Sequence, residues 1–219
     1  NGDGTFRISS AFNVTNYLGN ATGVFGALLG DYNGDGKTDI LRWTSNPGSA
    51  NVLYLSNGDG SFTQIDAAVS NNLTNSYLAE STRNLGIVAG DFNGDGKTDV
   101  LRWSAITGVA NIVFLSKGNG AFDALTMTVN GSTNVSYLGG ASNQFGTIPQ
   151  DYNGDGRTDI FRWTSYPSSL NELYLSNGDG TFRTSTAPFN LLAVLGPASA
   201  GFGNVVGDYN GDGLPDVIR

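Results

Sequence analysis

Four stretches of this 219-residue chain set oxygen-bearing side chains at one fixed spacing. The first is Asp31-Tyr-Asn33-Gly-Asp35-Gly-Lys37-Thr-Asp39 and the second Asp91-Phe-Asn93-Gly-Asp95-Gly-Lys97-Thr-Asp99. The third is Asp151-Tyr-Asn153-Gly-Asp155-Gly-Arg157-Thr-Asp159 and the fourth Asp208-Tyr-Asn210-Gly-Asp212-Gly-Leu214-Pro-Asp216. Each carries carboxylates at positions 1, 5 and 9 and an amide at position 3. Three carboxylates within nine residues repel one another. A hard cation that accepts six to eight oxygens at about 2.3–2.6 Å would relieve the repulsion, and calcium suits an all-oxygen set best. Position 7 (Lys37, Lys97, Arg157, Leu214) varies in chemistry, which suits a ligand that offers only its backbone carbonyl. The glycine at position 6 supplies the sharp turn such a loop needs. The expectation is about four calcium ions, one per loop.

Two simpler readings compete. One is an Asn/Asp-Gly hairpin turn with no metal, and four copies that keep every oxygen position weigh against it. The other is an EF-hand, which places glutamate at position 12, where this chain has Arg42, Arg102, Arg162 and Arg219. The flanks also disfavour helices. Ile40-Leu41-Arg42-Trp43 and Val100-Leu101-Arg102-Trp103 are short, aromatic and β-branched, so they read as strands, and each loop joins two of them.

The elements that carry the loops recur with them. The loops begin at 31, 91, 151 and 208, and Phe25-Gly26, Leu85-Gly86, Phe145-Gly146 and Phe202-Gly203 each begin six residues earlier. Such self-similarity marks a repeat architecture whose units need neighbours to bury their faces. Within a repeat the pattern predicts four strands. One runs into the loop and one leaves it. A third is Asn51–Ser56, Asn111–Ser116 or Asn171–Ser176, and a fourth is anchored by Phe62, Phe122 or Phe182. The links Asn57-Gly-Asp59-Gly, Lys117-Gly-Asn119-Gly and Asn177-Gly-Asp179-Gly read as hairpin turns, so Asp59 and Asp179 are expected in turns and not as ligands. Long Ser/Thr/Asn/Gly-rich connections follow each fourth strand. Four antiparallel strands and a long return describe β-propeller blades, with a stacked solenoid as the alternative. The expected repeats are 25–66, 85–126, 145–186 and a partial 202–219, with 1–10 as an outer strand. The expectation is all-β, an arc of about four blades within a larger propeller or one completed by a partner chain.

The loop, the Phe-Gly before it and the Asn-Gly-Asp-Gly-Thr-Phe after the third strand resemble the FG-GAP/VCBS-type repeat. That repeat is found in the integrin α-subunit propeller and in many secreted bacterial and fungal proteins. The resemblance covers essentially the whole chain and implies calcium at every loop, with the position-7 carbonyl completing the set. Leu214-Pro215 and Lys117-Gly-Asn119-Gly depart from the pattern. The family has no single activity, so the resemblance bears on architecture more than on function.

Composition narrows the function. Glycine is abundant (32), charge is sparse (14%) and aromatics make up 11%. There is no cysteine and no histidine, which excludes disulfides, thiolate metal sites and the usual general base. The net charge of −8 argues against a nucleic-acid partner. Twelve of the nineteen acids lie in the four loops, and four divalent ions would cancel the formal charge. No apolar run is long enough to span a membrane. The chain opens inside a motif, which suggests an excerpt of something longer. Asp66, Glu80, Asp123 and Glu172 lie outside loops and tight turns and share no motif, so no catalytic role is expected. Trp43, Trp103 and Trp163 could stack sugars or peptides, or simply pack between blades, and Arg42 could satisfy carbonyls or carboxylates of an adjacent blade. Asn13, Asn20, Asn72, Asn130 and Asn134 begin N-glycosylation triplets. The expected function is a secreted or cell-surface, calcium-stabilised scaffold that binds a protein or glycan, as in cell adhesion, or that self-associates through open blade edges. The alternatives are a lectin and a non-catalytic part of a larger toxin, fibre or enzyme.

Overall fold

The computed structural model describes residues 25–45, 50–66, 78, 85–106, 108–133, 135, 138, 145–164, 170–185 and 205–218. The first sheet has the order β1 (Phe25–Gly30), β2 (Asp39–Thr44), β3 (Val52–Ser56), β4 (Phe62–Asp66), all antiparallel. The second repeats it with β5 (Leu85–Gly90), β6 (Asp99–Ser104), β7 (Ile112–Ser116) and β8 (Phe122–Thr126). After β9 (Thr128–Val129), the third sheet has β10 (Phe145–Gln150), β11 (Asp159–Thr164), β12 (Glu172–Ser176) and β13 (Thr181–Thr184). A last hairpin joins β14 (Val205–Gly207) to β15 (Asp216–Ile218). The protein is all-β, an arc of propeller blades.

The strands follow from alternation. In β2, Leu41 faces one side of the sheet with Leu53 of β3, its direct partner, and Ile40 faces the other with Tyr54. Both faces are apolar because both are covered, which is the blade condition. Leu41 and Leu53 join Tyr32, Leu78, Val100, Phe114 and Phe122 in a core between the first two sheets. Leu101 and Val113 join Phe92, Ile160, Tyr174 and Phe182 between the second and third. Phe161, Leu173 and Leu175 face the last hairpin, with Val217 packed against them.

The glycines that begin the first three repeats, Gly26, Gly86 and Gly146, have a tertiary cause. The indole of Trp43 lies across Gly26 of the adjacent strand, where a Cβ would sit 2.4 Å from the Trp43 Cζ2 atom. Gly86 and Gly146 make room for Trp103 and Trp163 in the same way. The tryptophans are half-buried and packed onto the blade cores.

Arg42, Arg102 and Arg162 donate to the carbonyls of Ala50, Ala110 and Leu170, which lie on their own blades, not on a neighbour. Arg162 also pairs with Glu172 at 3.1 Å, and Glu172 accepts from the Tyr174 hydroxyl at 2.7 Å.

Part of one long connection is structured. β9 adds to the third sheet as a fifth strand, parallel to β13 and outside the four-strand pattern expected. Asn130 turns the chain there with φ 50 and uses its side-chain amide on Thr184, donating at 3.0 Å and accepting the Thr184 N–H at 3.3 Å. Among the glycosylation triplets, Asn13, Asn20, Asn72 and Asn134 lie outside the described residues. So do the outer strand expected at 1–10, Phe202-Gly203 and Arg219.

Candidate metal centre

Each loop is set at the turn between the first two strands of its blade. Backbone N–H groups fold around the position-1 carboxylate. Asp31 Oδ1 accepts from Gly34 (2.7 Å) and Asp35 (3.1 Å), and Oδ2 accepts from Gly36 (2.7 Å). Gly36 adopts φ 81, which turns its N–H inward and which a side chain would resist. The Asn33 side chain accepts from the Asp35 N–H at 3.0 Å and donates to Asp35 Oδ2 at 3.1 Å. Asp91 with Asn93, Asp151 with Asn153, and Asp208 with Asn210 repeat this arrangement. Positions 1, 3 and 5 therefore meet around the mouth of the loop, with position 5 exposed.

Position 9 has a different setting. Asp39, Asp99 and Asp159 are wholly buried beneath their loops. Asp39 accepts the Tyr32 N–H at 2.9 Å and the Ser56 N–H at 2.8 Å, so one carboxylate ties the loop to the end of the third strand. Asp99 does the same with Phe92 and Ser116, and Asp159 with Tyr152 and Ser176. Burial pushes the Asp99 carboxyl up to about 7 and that of Asp159 up to about 6, against the pull of those N–H bonds. Asp216 is half-buried and accepts from the Tyr209 N–H.

Position 7 uses more than its carbonyl. Lys37 Nζ lies 2.6 Å from Asp35 Oδ2, Lys97 Nζ 2.7 Å from Asp95 and Arg157 Nη2 2.5 Å from Asp155. Hydrogen bonding from Lys37 holds the Asp35 carboxyl below its usual range. The fourth loop has Leu214 there and no cation to pair with Asp212. Among the described residues, no three acidic groups converge as a metal cluster. The donor chemistry still fits a hard cation. It is all oxygen, and an ionised carboxylate offers about four lone-pair sites, of which Asp31 and Asp35 each use three and Asp39 two. Asp59 and Asp179, placed by sequence in turns, accept from the Ser61 and Thr181 N–H and hydroxyl groups.

Residues that no loop motif pointed to join the blades. The Thr98 N–H donates to the Asp31 carbonyl at 2.6 Å, and Thr98 Oγ1 accepts the Asp31 N–H at 2.9 Å. Thr158 donates likewise to the Asp91 carbonyl at 2.6 Å. The Ser116 and Ser176 hydroxyls donate to the Tyr32 and Phe92 carbonyls, both at 2.6 Å. The signal was their recurrence: threonine at position 8 in three loops, and serine closing each third strand.

The FG-GAP-like repeat profile matches residues 31–102 and 151–218, well over half of the chain. The chain belongs to the FG-GAP-like repeat family. This FG-GAP-like repeat protein matches no curated protein. It is similar to a solved structure of an Agrocybe aegerita lectin described as specifically recognising non-reducing terminal N-acetylglucosamine, with a TM-score of 0.60 and 21% identity. That similarity covers 88% of this chain and 45% of the lectin chain, so the FG-GAP-like repeat protein spans less than half the lectin's length. At that identity the likeness is one of fold. No helix among the described residues is long and apolar enough to cross a membrane.

Proposed function

We propose that this FG-GAP-like repeat protein is an extracellular, calcium-stabilised, non-catalytic binding and scaffold module. The observation that carries the proposal is the loop mouth, built alike four times from oxygen donors that backbone N–H groups hold in place. Asp31, Asn33 and Asp35 with the Lys37 carbonyl, and their equivalents in the other loops, would hold the ion. Asp39, Asp99, Asp159 and Asp216 would support it from below. The ion supplies positive charge among carboxylates. The protein's own part is to fix Asp31 with three N–H donors, to seat Asp39 under the loop, and to release Asp35 from Lys37.

The test is a thermal melt in calcium and in excess chelator. A higher melting temperature with calcium supports the proposal, and superimposable melts at saturating calcium overturn it. The lectin fold favours one ligand class, glycans, over others. A glycan array that includes terminal N-acetylglucosamine, with and without calcium, tests that part. Binding to no glycan leaves a scaffold for protein ligands.

A further inference from the structure

Consecutive loops touch one another through positions 7 and 8. At position 7 the Lys97 stem lies over position 4 of the loop before, where a Cβ on Gly34 would be 3.1 Å from Lys97 Cγ. Arg157 lies over Gly94 and Leu214 over Gly154 in the same way, with closest approaches of 3.0 and 3.2 Å. All three junctions share this packing, and position 8 divides them. Thr98 gives its N–H to the Asp31 carbonyl at 2.6 Å, and its Oγ1 accepts the Asp31 N–H at 2.9 Å. Both backbone groups of a position-1 residue are thus held by the following loop. Thr158 gives its N–H to the Asp91 carbonyl at 2.6 Å. The fourth loop has Pro215 at position 8, with no N–H and no hydroxyl to give.

The residue before each loop follows the same division. A Cβ on Gly30 would lie 2.4 Å from Thr98 Cγ2, and one on Gly90 would lie 2.5 Å from Thr158 Cγ2. Each glycine leaves the room its threonine needs. At the junction with Pro215 the residue before the loop is Gln150, so neither member of the pair is present.

The threonine bonds end on a residue that matters to the loop before. The Asp31 carboxylate is fixed by the N–H groups of Gly34, Asp35 and Gly36, and the Asp31 backbone by Thr98. Thr98 directly follows Lys97, whose carbonyl is one of the donors proposed above. Whatever fixes the Lys97 carbonyl also restrains Thr98, and through it the backbone that carries the Asp31 carboxylate. Such a linkage acts equally in both directions.

We infer that Thr98 and Thr158 are positioning residues between metal loops, so that the first three loops take up a divalent cation cooperatively and the fourth takes it up independently. The inference rests on the calcium reading of the loops. Charge alone gives the opposite sign, because cations in adjacent loops repel one another.

A calcium titration of the isotope-labelled chain, followed by nuclear magnetic resonance, tests this. The amides of Gly36, Gly96, Gly156 and Gly213 each donate to a position-1 carboxylate and so report the four loops one by one. Asp95→Ala, which disables the second loop, is expected to weaken calcium binding read at Gly36 and Gly156 at least about fivefold and to leave Gly213 unchanged. Asp212→Ala, in the fourth loop, is expected to leave the first three unchanged. In a Thr98→Pro background, which copies the fourth loop, Asp95→Ala is expected to lose its effect on Gly36, whereas a Thr98→Ser background keeps it. Should Thr98→Pro fail to fold, Gln150→Gly combined with Pro215→Thr makes the converse test: it installs the absent pair and is expected to couple the third and fourth loops. Four glycines that shift with calcium at midpoints that Asp95→Ala does not move overturn the inference and leave the calcium reading standing. So does coupling that neither Thr98→Pro nor the installed pair changes. Glycines that do not shift at saturating calcium overturn both.

Discussion

Thr98 and Asp31, 67 residues apart, exchange two hydrogen bonds across the gap between the first and second blades: the Thr98 N–H donates to the Asp31 carbonyl at 2.6 Å, and Thr98 Oγ1 accepts the Asp31 N–H at 2.9 Å. The same residue, Asp31, offers its side chain to the loop and its backbone to the next blade. Loop geometry and blade spacing are therefore coupled through one residue.

Removing half of that exchange gives the first prediction. Thr98→Val keeps the shape and the backbone bond but leaves the Asp31 N–H without its acceptor. Denaturant unfolding is expected to show a loss of about 1 kcal/mol. Thr98→Pro removes the backbone bond as well and is expected to cost more. Equal stability of Thr98→Pro and the parent would show that the exchange contributes nothing.

The second prediction concerns the buried position-9 carboxylate. Asp99→Ala strips the acceptor from the N–H groups of Phe92 and Ser116, both of which lie in buried surroundings. Each unsatisfied donor costs about 1–3 kcal/mol, so the variant is expected to unfold at markedly lower denaturant. Asp35→Ala, at the exposed mouth of a loop, is expected to cost far less without metal. The two midpoints measured in chelator separate a structural pin from a ligand.

Packing supplies the third. A Cβ at Gly86 would meet the Trp103 ring at 2.1 Å, and the indole has a filled core behind it. Gly86→Ala is expected to cost about 1–3 kcal/mol and to shift the tryptophan emission, because the ring must leave its seat. An unshifted spectrum with unchanged stability would contradict the close approach.

The fourth follows from the cation within the loop. Lys97 Nζ sits 2.7 Å from a carboxylate oxygen of Asp95, one of the residues proposed to hold the ion. Exposed pairs of this kind are worth about 0.2–1 kcal/mol, so Lys97→Leu, which copies the fourth loop, is expected to tighten calcium binding by up to about fivefold. Titration calorimetry reads this directly. Where calcium reaches about 100 times its dissociation constant, each occupied site adds about 2.7 kcal/mol of stability.

Much of this architecture is carried by local signals. Asn-Gly and Asp-Gly pairs mark hairpins wherever they occur, alternating apolar residues mark strands, and a fixed period marks repeats. Those rules need only neighbours in sequence, so the four-strand blades, the turns at Asp59 and Asp179 and the positions of the four loops were legible in the residues alone. The loop spacing likewise showed which side chains carry oxygen.

Tertiary structure decided where those oxygens point and what they touch. The spacing placed an oxygen at position 9 but not its protein partners: Asp39 accepts the N–H of Ser56, 17 residues on, because the third strand ends beneath the loop. Nor did the spacing show that the Lys37 side chain folds back onto Asp35. Gly26, Gly86 and Gly146 gave no hint that an indole lies across each of them, and β9 joined a sheet its own repeat does not form. Spacing along a chain fixes which groups can be near one another within a turn or a hairpin. Contacts between residues some sixty positions apart exist only once the blades have packed, and there the direction of each lone pair is set by the neighbouring sheet.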